Sequence, residues 1–323
     1  MNESATPMFK IGVMIESFRR GLYGGLEAAA RVGAQGVQVY ATGGETHFSK
    51  LRGPALAELK GRLRDLHLEL AAVCGDFGGH GFQVAADNAR LLDDSKRVIE
   101  LARELDCRVV TTHLGVIPAD PRHPRHAILT AACAELAAFA RTAGATLAVE
   151  TGPEPAAVLR AFLDPFGPAA GIGVNFDPAN LAMVCREDIP AAVRTLAPYI
   201  VHTHAKDGVN LRPVDPERLY ASFAGAPTPA FRAEDHIRET PLGEGAVPYP
   251  AYLEALRDAG YDGYLTIERE TGAQPFADIQ AAVRFLYHHQ PRKSDIVSPS
   301  PEAARPGRKR RCPPRPALPQ NTH

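Results

Sequence analysis

The sequence predicts an α/β protein with a single (β/α)8 TIM-barrel domain, and two observations lead to this prediction. Short apolar runs typical of buried strands alternate with helix-like segments, and eight such alternations can be counted along the chain. Three consecutive strand ends are also evenly spaced, because 27 residues separate Glu150 from Asp177 and 27 separate Asp177 from His204. One strand, one helix and two short loops fit such an interval.

The first half of the chain supplies four of these strand–helix units. Apolar and β-branched residues predict strands over 10–15, 36–40, 68–74 and 108–112. Helix-spaced apolar residues predict helices over 26–32, 54–67, 85–105 and 128–142. Gly33 and Gly144 lie just past two of these helices, where glycine commonly ends a helix.

The second half supplies the other four units. Strands are predicted over 146–150, 171–177, the start of 199–207, and 263–268. The interval from His204 to Glu268 is too long for one helix, so residues 208–247 are predicted to form an excursion over the barrel mouth. A Rossmann-like sheet is the main rival fold, but no Gly-x-Gly-x-x-Gly motif follows the first strand.

Four residues of metal-binding type end four consecutive predicted strands. They are Glu150, Asp177, His204 and Glu268. The carboxyl ends of all strands in a parallel barrel meet at one face, so these side chains are expected to converge there. Each also has an ordinary explanation: Asp177 before Pro178 could cap a helix, the glutamates could be solvated strand ends, and His204 could be a hydrogen-bonding residue at the rim. Together the four predict a metal site.

The type of metal follows from the donor atoms. His202 and His204 share one face of their strand, so both could approach an ion, or one could be structural. Three carboxylates with one imidazole favour Mn²⁺, Mg²⁺ or Co²⁺ over structural zinc. The sequence therefore predicts one divalent metal ion, with Mn²⁺ first and Mg²⁺, Co²⁺ or Zn²⁺ as alternatives.

Composition indicates a soluble globular protein and argues against nucleic-acid binding. The chain has 323 residues, of which 45% are hydrophobic and 23% charged, as in globular proteins with a sizeable core. Its five cysteines show no C-x-x-C motif, which predicts reduced thiols. The N-terminus lacks the features of a signal peptide, and no apolar stretch approaches the roughly 18 residues of a membrane span. We therefore expect a cytoplasmic location.

The composition changes after residue 290, which predicts a domain boundary there. Residues 291–323 hold eight of the 36 Lys and Arg residues and eight of the 28 prolines, without apolar periodicity. The barrel is therefore predicted over 9–290, followed by a disordered, basic, Pro-rich tail over 291–323. The rest of the chain is mildly acidic, which argues against nucleic-acid binding. The tail could be a solubilising extension or could contact an acidic partner.

Five motifs give the chain a resemblance to a known family. They are Leu-Ala-Val-Glu-Thr (147–151), Asn-Phe-Asp-Pro-Ala-Asn (175–180), His-Thr-His-Ala-Lys-Asp (202–207), Pro-Leu-Gly-Glu-Gly (241–245) and Gly-Tyr-Asp-Gly-Tyr-Leu-Thr-Ile-Glu (260–268). Over residues 9–288 the sequence resembles the xylose isomerase-like TIM barrels, known as sugar phosphate isomerase/epimerase, which include ketohexose 3-epimerases, inosose dehydratase and endonuclease IV. The metal ligands of the epimerases correspond to the four residues already singled out at the strand ends.

The resemblance implies a metal-dependent isomerase or epimerase of carbohydrate metabolism that acts on a ketose or related sugar. Its catalytic residues would be Glu150 and Glu268, which would move a proton on carbon through an enediolate while the metal holds the carbonyl and a neighbouring hydroxyl. A hydride shift would need a second metal, and ligands for only one are found. The implied partner is a small carbohydrate. No membrane partner is expected, and whether the chain forms a homo-oligomer is left open.

Two departures from the family pattern leave alternatives. Asn180 stands where the epimerases and endonucleases have a histidine, although an asparagine can still bind a sugar hydroxyl. The pair Lys206 and Asp207 resembles inosose dehydratase, so a lyase that acts on a keto sugar is a second hypothesis. A non-catalytic or nucleic-acid-binding barrel is a third, and the acidic composition argues against it.

Five residues are candidates for substrate binding. They are His113, Asn180, Lys206, His80 and Glu154. Lys206 could bind an anionic or hydroxyl group, or it could form a surface salt bridge with Asp207. The substrate itself depends on the loops 41–53, 75–83 and 208–247.

Overall fold

The computed structural model describes residues 6–226 and 230–295, and eight parallel strands in this part of the chain close into a barrel. Strands are numbered in chain order, and β8 (Asp207–Asn210) and β9 (Ile237–Thr240) lie outside the barrel. The barrel strands are β1 (Lys10–Met14), β2 (Gly36–Tyr40), β3 (Glu69–Cys74), β4 (Val109–Thr112), β5 (Thr146–Glu150), β6 (Ile172–Phe176), β7 (Ile200–Ala205) and β10 (Tyr264–Ile267). Their order around the barrel is β1-β10-β7-β6-β5-β4-β3-β2, which confirms the predicted fold.

Helices lie between the strands and after the last strand of the described chain. They are α1 (Gly21–Val32), α2 (Pro54–Asp65), α3 (Ala85–Glu104), α4 (Pro124–Ala143), α5 (Ala156–Leu163), α6 (Pro178–Asn180), α7 (Ile189–Leu196), α8 (Pro216–Phe223), α9 (Tyr249–Asp258) and α10 (Pro275–His289). Within residues 6–226 and 230–295, none combines the length and the apolar composition that a membrane crossing requires.

Two helices begin earlier than the sequence predicted. The first starts at Gly21 instead of residue 26, because the glycine-rich segment taken as a loop is helical. The fourth starts at Pro124, four residues before the stretch 128–142 that it was predicted to contain. Its proline takes the first helical position, and the His123 side chain accepts a hydrogen bond from the backbone of Arg125. Both helices end where predicted, at Gly33 and Gly144, which have positive φ angles of 86° and 73°.

The parallel register places the ends of four strands side by side. Glu150 of β5 is level with Asn175 of β6, and Asn175 is level with His202 of β7. His204 is level with Thr266 of β10, two residues before Glu268. Since side chains alternate along a strand, this register determines which side chains meet inside the barrel mouth.

Between β7 and β10 the chain leaves the barrel, as predicted for residues 208–247. An antiparallel two-stranded sheet forms the base of this excursion from β8 (Asp207–Asn210) and β9 (Ile237–Thr240). Helix α8 lies between the two strands in sequence, and its Tyr220 and Phe223 line a cavity at the barrel mouth. The excursion therefore supplies part of the wall of that cavity.

Asp207 attaches the excursion to the barrel. Its Oδ1 accepts hydrogen bonds from the backbone of Gly208 (2.8 Å) and Val247 (3.1 Å), and its Oδ2 accepts from Gly243 and Gly245 (3.0 Å each). A Cβ atom on Gly245 would collide with this carboxylate. One buried side chain thus organises the Pro-Leu-Gly-Glu-Gly loop.

The compact unit of the structure spans Pro7–Pro291 and contains the barrel. The remaining described residues belong to the terminal segments, where the backbone of Lys293 donates to the carbonyl oxygen of Thr6 at 3.0 Å. The predicted tail over 291–323 lies outside the described residues from 296 onward. Its disorder and the boundary at 290 stay predictions.

Replacing Asp207 with Asn should destabilise the fold. The amide nitrogen would face two backbone N–H groups where a carboxylate oxygen now accepts from them, so the free energy of unfolding should fall by about 2–4 kcal/mol. Urea unfolding followed by circular dichroism measures this. Asp215→Asn is the matched control, because Asp215 is an exposed helix cap in the same excursion and asparagine also caps helices. Equal losses in the two variants would contradict the role given to Asp207.

Candidate metal centre and catalytic cavity

Four buried side chains converge at the carboxyl ends of β5, β6, β7 and β10. One potential ligand atom from each of Glu150, Asp177, His204 and Glu268 lies within 4.8 Å of those of the other three. The Nδ1 atom of His204 is 3.6 Å from Glu150 Oε1, 3.7 Å from Asp177 Oδ2 and 3.4 Å from Glu268 Oε2. The structure therefore brings together the four residues predicted from the strand ends, as a group that could hold a metal ion.

Asp177 shows that this group fits a cation. Its Oδ1 caps α6 by accepting from the backbone of Ala179 (2.8 Å) and Asn180 (3.1 Å), so the capping role considered for Asp177 is also present. Its Oδ2 is buried and has no hydrogen-bond partner. A buried carboxylate oxygen without a partner is unfavourable, and a cation in contact with the four ligand atoms would satisfy it.

The orientation of His204 also fits a ligand role. Its Nε2 lies 3.3 Å from Gln38 Oε1, which can only accept, so the network assigns a proton to Nε2. The amide nitrogen of Asn175 is also near Nε2 at 3.2 Å but donates to Glu150 Oε2 at 3.1 Å. Nδ1 thus faces the three carboxylates, where it holds a proton in the absence of a cation and would present its lone pair to a bound metal, as in a metal-bound histidine held by an outer hydrogen bond.

His202 has a different environment and lies outside the group of four. Its Nε2 donates to the same Gln38 oxygen at 3.0 Å. Burial, and then the charge of His204, lower the pKa of His202 well below its usual range. His202 therefore stays neutral and hydrogen-bonds Gln38. Of the two histidines, only His204 belongs to the group that could hold a metal ion.

The charges of the group depend strongly on one another. Burial lowers the pKa of His204, but Glu150 and Glu268 raise it further, and the net pKa is well above the usual range. Burial likewise raises the pKa of Glu268, but Lys206 and then His204 lower it below its ordinary value. In Glu150 the effect of burial is overcome by His113 and His204, and its pKa is lowered. Both glutamates are thus ionised and able to accept protons.

The two glutamates have different neighbours. Glu150 accepts a hydrogen bond from the Asn180 side chain at 3.1 Å, and the Nε2 atom of His113 lies 3.6 Å away. Glu268 instead pairs with the buried ammonium group of Lys206 at 2.9 Å, and Lys206 also pairs with Glu270. The surface salt bridge considered between Lys206 and Asp207 is therefore wrong, because the carboxylate of Asp207 is occupied by backbone N–H groups.

His113 connects the group to the loop after β3. Its Nδ1 lies 3.2 Å from Asp76 Oδ2. Burial lowers the pKa of His113, but Glu150 and Asp76 raise it to about 10. A protonated imidazole therefore stands beside Glu150, where it can donate to a substrate oxygen.

A cavity of about 660 Å³ opens from this group to the solvent, and Glu150 and Glu268 line it. Four of the five predicted substrate-binding residues also line it, namely His80, His113, Asn180 and Lys206. His80 is exposed, whereas Lys206 is 5% exposed. The cavity is within the range of about 300–1,000 Å³ found for small-molecule sites.

The sequence profile of the xylose isomerase-like TIM barrel family matches residues 26–289. The chain belongs to this family. No curated protein sequence matches the chain significantly.

Several solved structures of low sequence identity share the fold. A xylose isomerase domain protein from Planctomyces limnophilus is 23% identical with a TM-score of 0.68, and the match covers 87% of this chain and 96% of that one. A D-tagatose 3-epimerase-like protein is 19% identical with a TM-score of 0.63, covering 86% and 98%. A probable 3-DHS dehydratase from Bacillus anthracis is 18% identical with a TM-score of 0.65, covering 86% and 98%. At these identities the likeness shows the fold alone.

Other members of this group and of the cavity lining were missed by the sequence analysis. They are Gln38, Asp76, Asn175, Tyr220 and Glu270. Gln38 and Asn175 could have been found, because each is a polar residue inside an apolar strand segment and must therefore be satisfied by hydrogen bonds. Asp76, Tyr220 and Glu270 lie in loops or in the excursion, where local sequence gives no such signal.

Glu154 differs from the other predicted substrate contacts, because it is 5% exposed and is not among the residues that line the cavity. Its Oε2 accepts a hydrogen bond from the backbone of Ile117 at 3.4 Å. Burial raises the pKa of Glu154 to about 8, against smaller lowering effects of Ile117 and His113. Glu154 is therefore protonated in the folded protein at neutral pH.

This protonation predicts a pH-dependent stability difference. The folded protein binds one more proton than the unfolded chain between the ordinary pKa of 4.5 and the folded value of about 8, so the contribution of Glu154 to stability is lost as pH rises through that window. Relative to wild type, Glu154→Gln should therefore gain unfolding free energy with rising pH, by at most about 1.4 kcal/mol per pH unit. Urea unfolding at several pH values measures the difference. Glu100→Gln, on the outer surface, controls for the lost charge, and parallel pH profiles for Glu154→Gln and wild type would refute the assignment.

Metal binding provides a second prediction. Calorimetric titration of EDTA-treated protein with MnCl₂ should show one site per chain, and Asp177→Asn should weaken binding at least tenfold, about 1.4 kcal/mol. Asparagine keeps the helix cap but removes the charge beside the ligand atoms. Asp188→Asn is the matched control, because Asp188 caps α7 in the same way outside the site. Equal affinity in all three proteins would show that the ion binds elsewhere.

Proposed function

We propose that this chain is a divalent-metal-dependent isomerase or epimerase that moves a proton on a carbon atom of a ketose or related sugar, through an enediolate. The observation that carries the proposal is the position of Glu150 and Glu268. Both belong to the buried group of four, and both line the cavity. Carboxylates that face the cation site and the substrate space at once are suited to act on the proton next to a substrate carbonyl.

The donor atoms support a divalent cation in this role. Oxygen-rich sets with one imidazole suit Mn²⁺, which we place first, with Mg²⁺, Co²⁺ or Zn²⁺ as alternatives. When bound, such an ion polarises a carbonyl oxygen and stabilises the negative charge that develops as the neighbouring carbon loses its proton. The ligands would be Glu150, Asp177, His204 and Glu268.

The protein's own residues would divide the remaining work. One of Glu150 and Glu268 would remove the proton from carbon, and the other, after taking up a proton from solvent, would return one to the opposite face. The cations beside each keep both glutamates ionised beforehand. Asn175 and Asn180 donate to the two oxygens of Glu150 and so restrict its rotation. Fixing the carboxylate near the reacting carbon lowers the entropic part of the barrier.

The substrate would be held by side chains that donate hydrogen bonds to hydroxyl or carbonyl oxygens. His113, Asn180 and Lys206 line the inner part of the cavity and can do so, and His80 lies on its exposed wall. Glu154 would act on the substrate only after a movement of the loop after β4, because its carboxyl group is buried against Ile117. We further propose a role in carbohydrate metabolism in the cytoplasm, supported by the free thiols of Cys74, Cys107, Cys133 and Cys185.

A lyase is the second candidate, and Lys206 is the observation that favours it. Its ammonium group lies in the cavity, 2.9 Å from Glu268 Oε2. Dehydration begins with the same removal of a proton from carbon, and a buried ammonium group could then protonate the departing hydroxyl. The two reactions differ in their products, because elimination loses water and epimerisation conserves mass.

Solvent exchange tests the proposed chemistry. In D₂O, the Mn²⁺-loaded protein incubated with a panel of ketoses, inososes and 3-keto sugars should place deuterium on the carbon next to the carbonyl of its substrate. Glu150→Gln and Glu268→Gln remove a base while keeping size, so turnover should fall by roughly 100-fold or more in each. Mass spectrometry and proton NMR of the products give the readout.

Metal content of each glutamine variant must be measured in parallel, because both residues are also proposed ligands. A variant with full metal and a near-normal rate would refute the base role of that glutamate. Product without deuterium would indicate a hydride shift or a proton returned by the same shielded carboxylate. Loss of water from the substrate would show that the protein is a lyase and not an epimerase.

A further inference from the structure

The mouth of the cavity carries exposed apolar side chains beside the Arg125–Glu217 ion pair, in addition to its charged floor. Four large hydrophobic residues are exposed among the described residues: Val84, Leu211, Phe223 and Tyr287. Two of them, Val84 (39% exposed) and Phe223 (59% exposed), line this one cavity. Exposed apolar groups in a cavity wall commonly serve a ligand, since their burial on binding is favourable.

A series of rings leads from the floor of the cavity to this mouth. The His113 ring, beside Glu150, has its centroid 6.4 Å from that of Tyr220. The Tyr220 ring in turn packs edge-to-face with Phe223, with centroids 5.9 Å apart and planes at 74°. The cavity wall thus changes from the imidazole of His113 near the carboxylates, through Tyr220 of α8, to the exposed phenyl ring of Phe223.

The loop after β3 adds a smooth surface to the same cavity. Gly78 and Gly79 line it with positive φ angles of 68° and 65°, which glycine adopts without strain. A Cβ atom on either residue would meet nothing within 4 Å, so no side chain occupies the space next to them. The loop therefore leaves open space in the cavity beside the apolar side chains, wide enough for a flat group to enter.

The size of the cavity points in the same direction. A monosaccharide whose carbonyl lies at Glu150 and Glu268 would fill the polar floor of the cavity of about 660 Å³ and leave Val84 and Phe223 in water. We propose that the substrate has two parts, a keto sugar at the carboxylates and an aryl group, joined as a glycoside, that packs against Val84 and Phe223. This inference rests on the proposed function, because it places the sugar part at the proposed metal centre.

The position of the ketone follows from the chemistry of a glycoside. A glycosidic bond at the carbonyl carbon of an ordinary ketose would convert that carbonyl into an acetal. The ketone must therefore lie at another ring carbon, with a hydroxyl beside it, while the anomeric carbon carries the aryl group. Phenyl and methyl 3-keto-β-D-glucopyranoside are a matched pair of probes, because they differ only in the group expected to reach the mouth.

Calorimetric binding to the Mn²⁺-loaded protein tests the inference. The phenyl glycoside should bind about tenfold more tightly than the methyl glycoside, and Phe223→Ala should bring this ratio close to one. Phe223→Leu, which keeps apolar bulk, should retain part of the preference. Tyr287→Ala is the matched control, because it removes an aromatic ring of similar exposure (51%) outside the cavity and should leave the ratio unchanged.

Equal or undetectable binding of the two glycosides to wild type would overturn the inference. So would a phenyl preference that persists in Phe223→Ala and in Val84→Ser, since the aryl group would then lie elsewhere. The proposed function is judged separately, by manganese binding and by solvent deuterium exchange with unsubstituted ketoses. If the protein exchanges the carbon-bound proton of a ketose with solvent but does not prefer the phenyl glycoside, the proposed function is supported and the inference is refuted.

Discussion

The burial of three carboxylates around one point is the constraint on which the rest of this structure depends. Glu150, Asp177 and Glu268 present oxygens within 4.8 Å of one another with little solvent to screen them. Like charges so close and so buried repel strongly, so such a group persists only with compensating positive charge or bound protons. Lys206 supplies part of that compensation, and a proton on His204, or a divalent cation in its place, would supply the rest.

The same constraint explains why polar residues interrupt otherwise apolar strands. Gln38 in β2 is fully buried, yet it accepts from both His202 and His204 and donates to Thr111 at 3.3 Å. Asn175 in β6 is equally buried and donates to Glu150. Hydrophobic residues at these positions would pack well but would leave the imidazoles and the carboxylate without the hydrogen bonds that orient them.

Sequence alone could predict the barrel and the four residues at the strand ends, because both follow from patterns local to each strand and from the rule that parallel strands end at one face. It could not predict that Lys206 would pair with Glu268 and Glu270, since that choice depends on how the loop after β10 folds across β7. Nor could it show that Glu154, close to Glu150 in sequence, would be buried away from the cavity. Pairings across the mouth are set by tertiary packing, which leaves no local signal.

The excursion between β7 and β10 contacts the loop that follows β10 at the carboxyl end of the barrel. Glu239 of β9 accepts from Arg269 at 2.7 Å and from the backbone of Glu270 and Thr271 at 3.2 and 2.9 Å. These residues follow Glu268 directly, so the β8–β9 sheet holds the loop that places both Glu268 and the Glu270 partner of Lys206. The barrel strands thus determine where a cation and a carbonyl can meet, while the excursion both forms the outer wall and positions one of the two proposed bases. A variant of the excursion with a different substrate preference would therefore have to keep the contacts of Glu239 while changing the residues of α8.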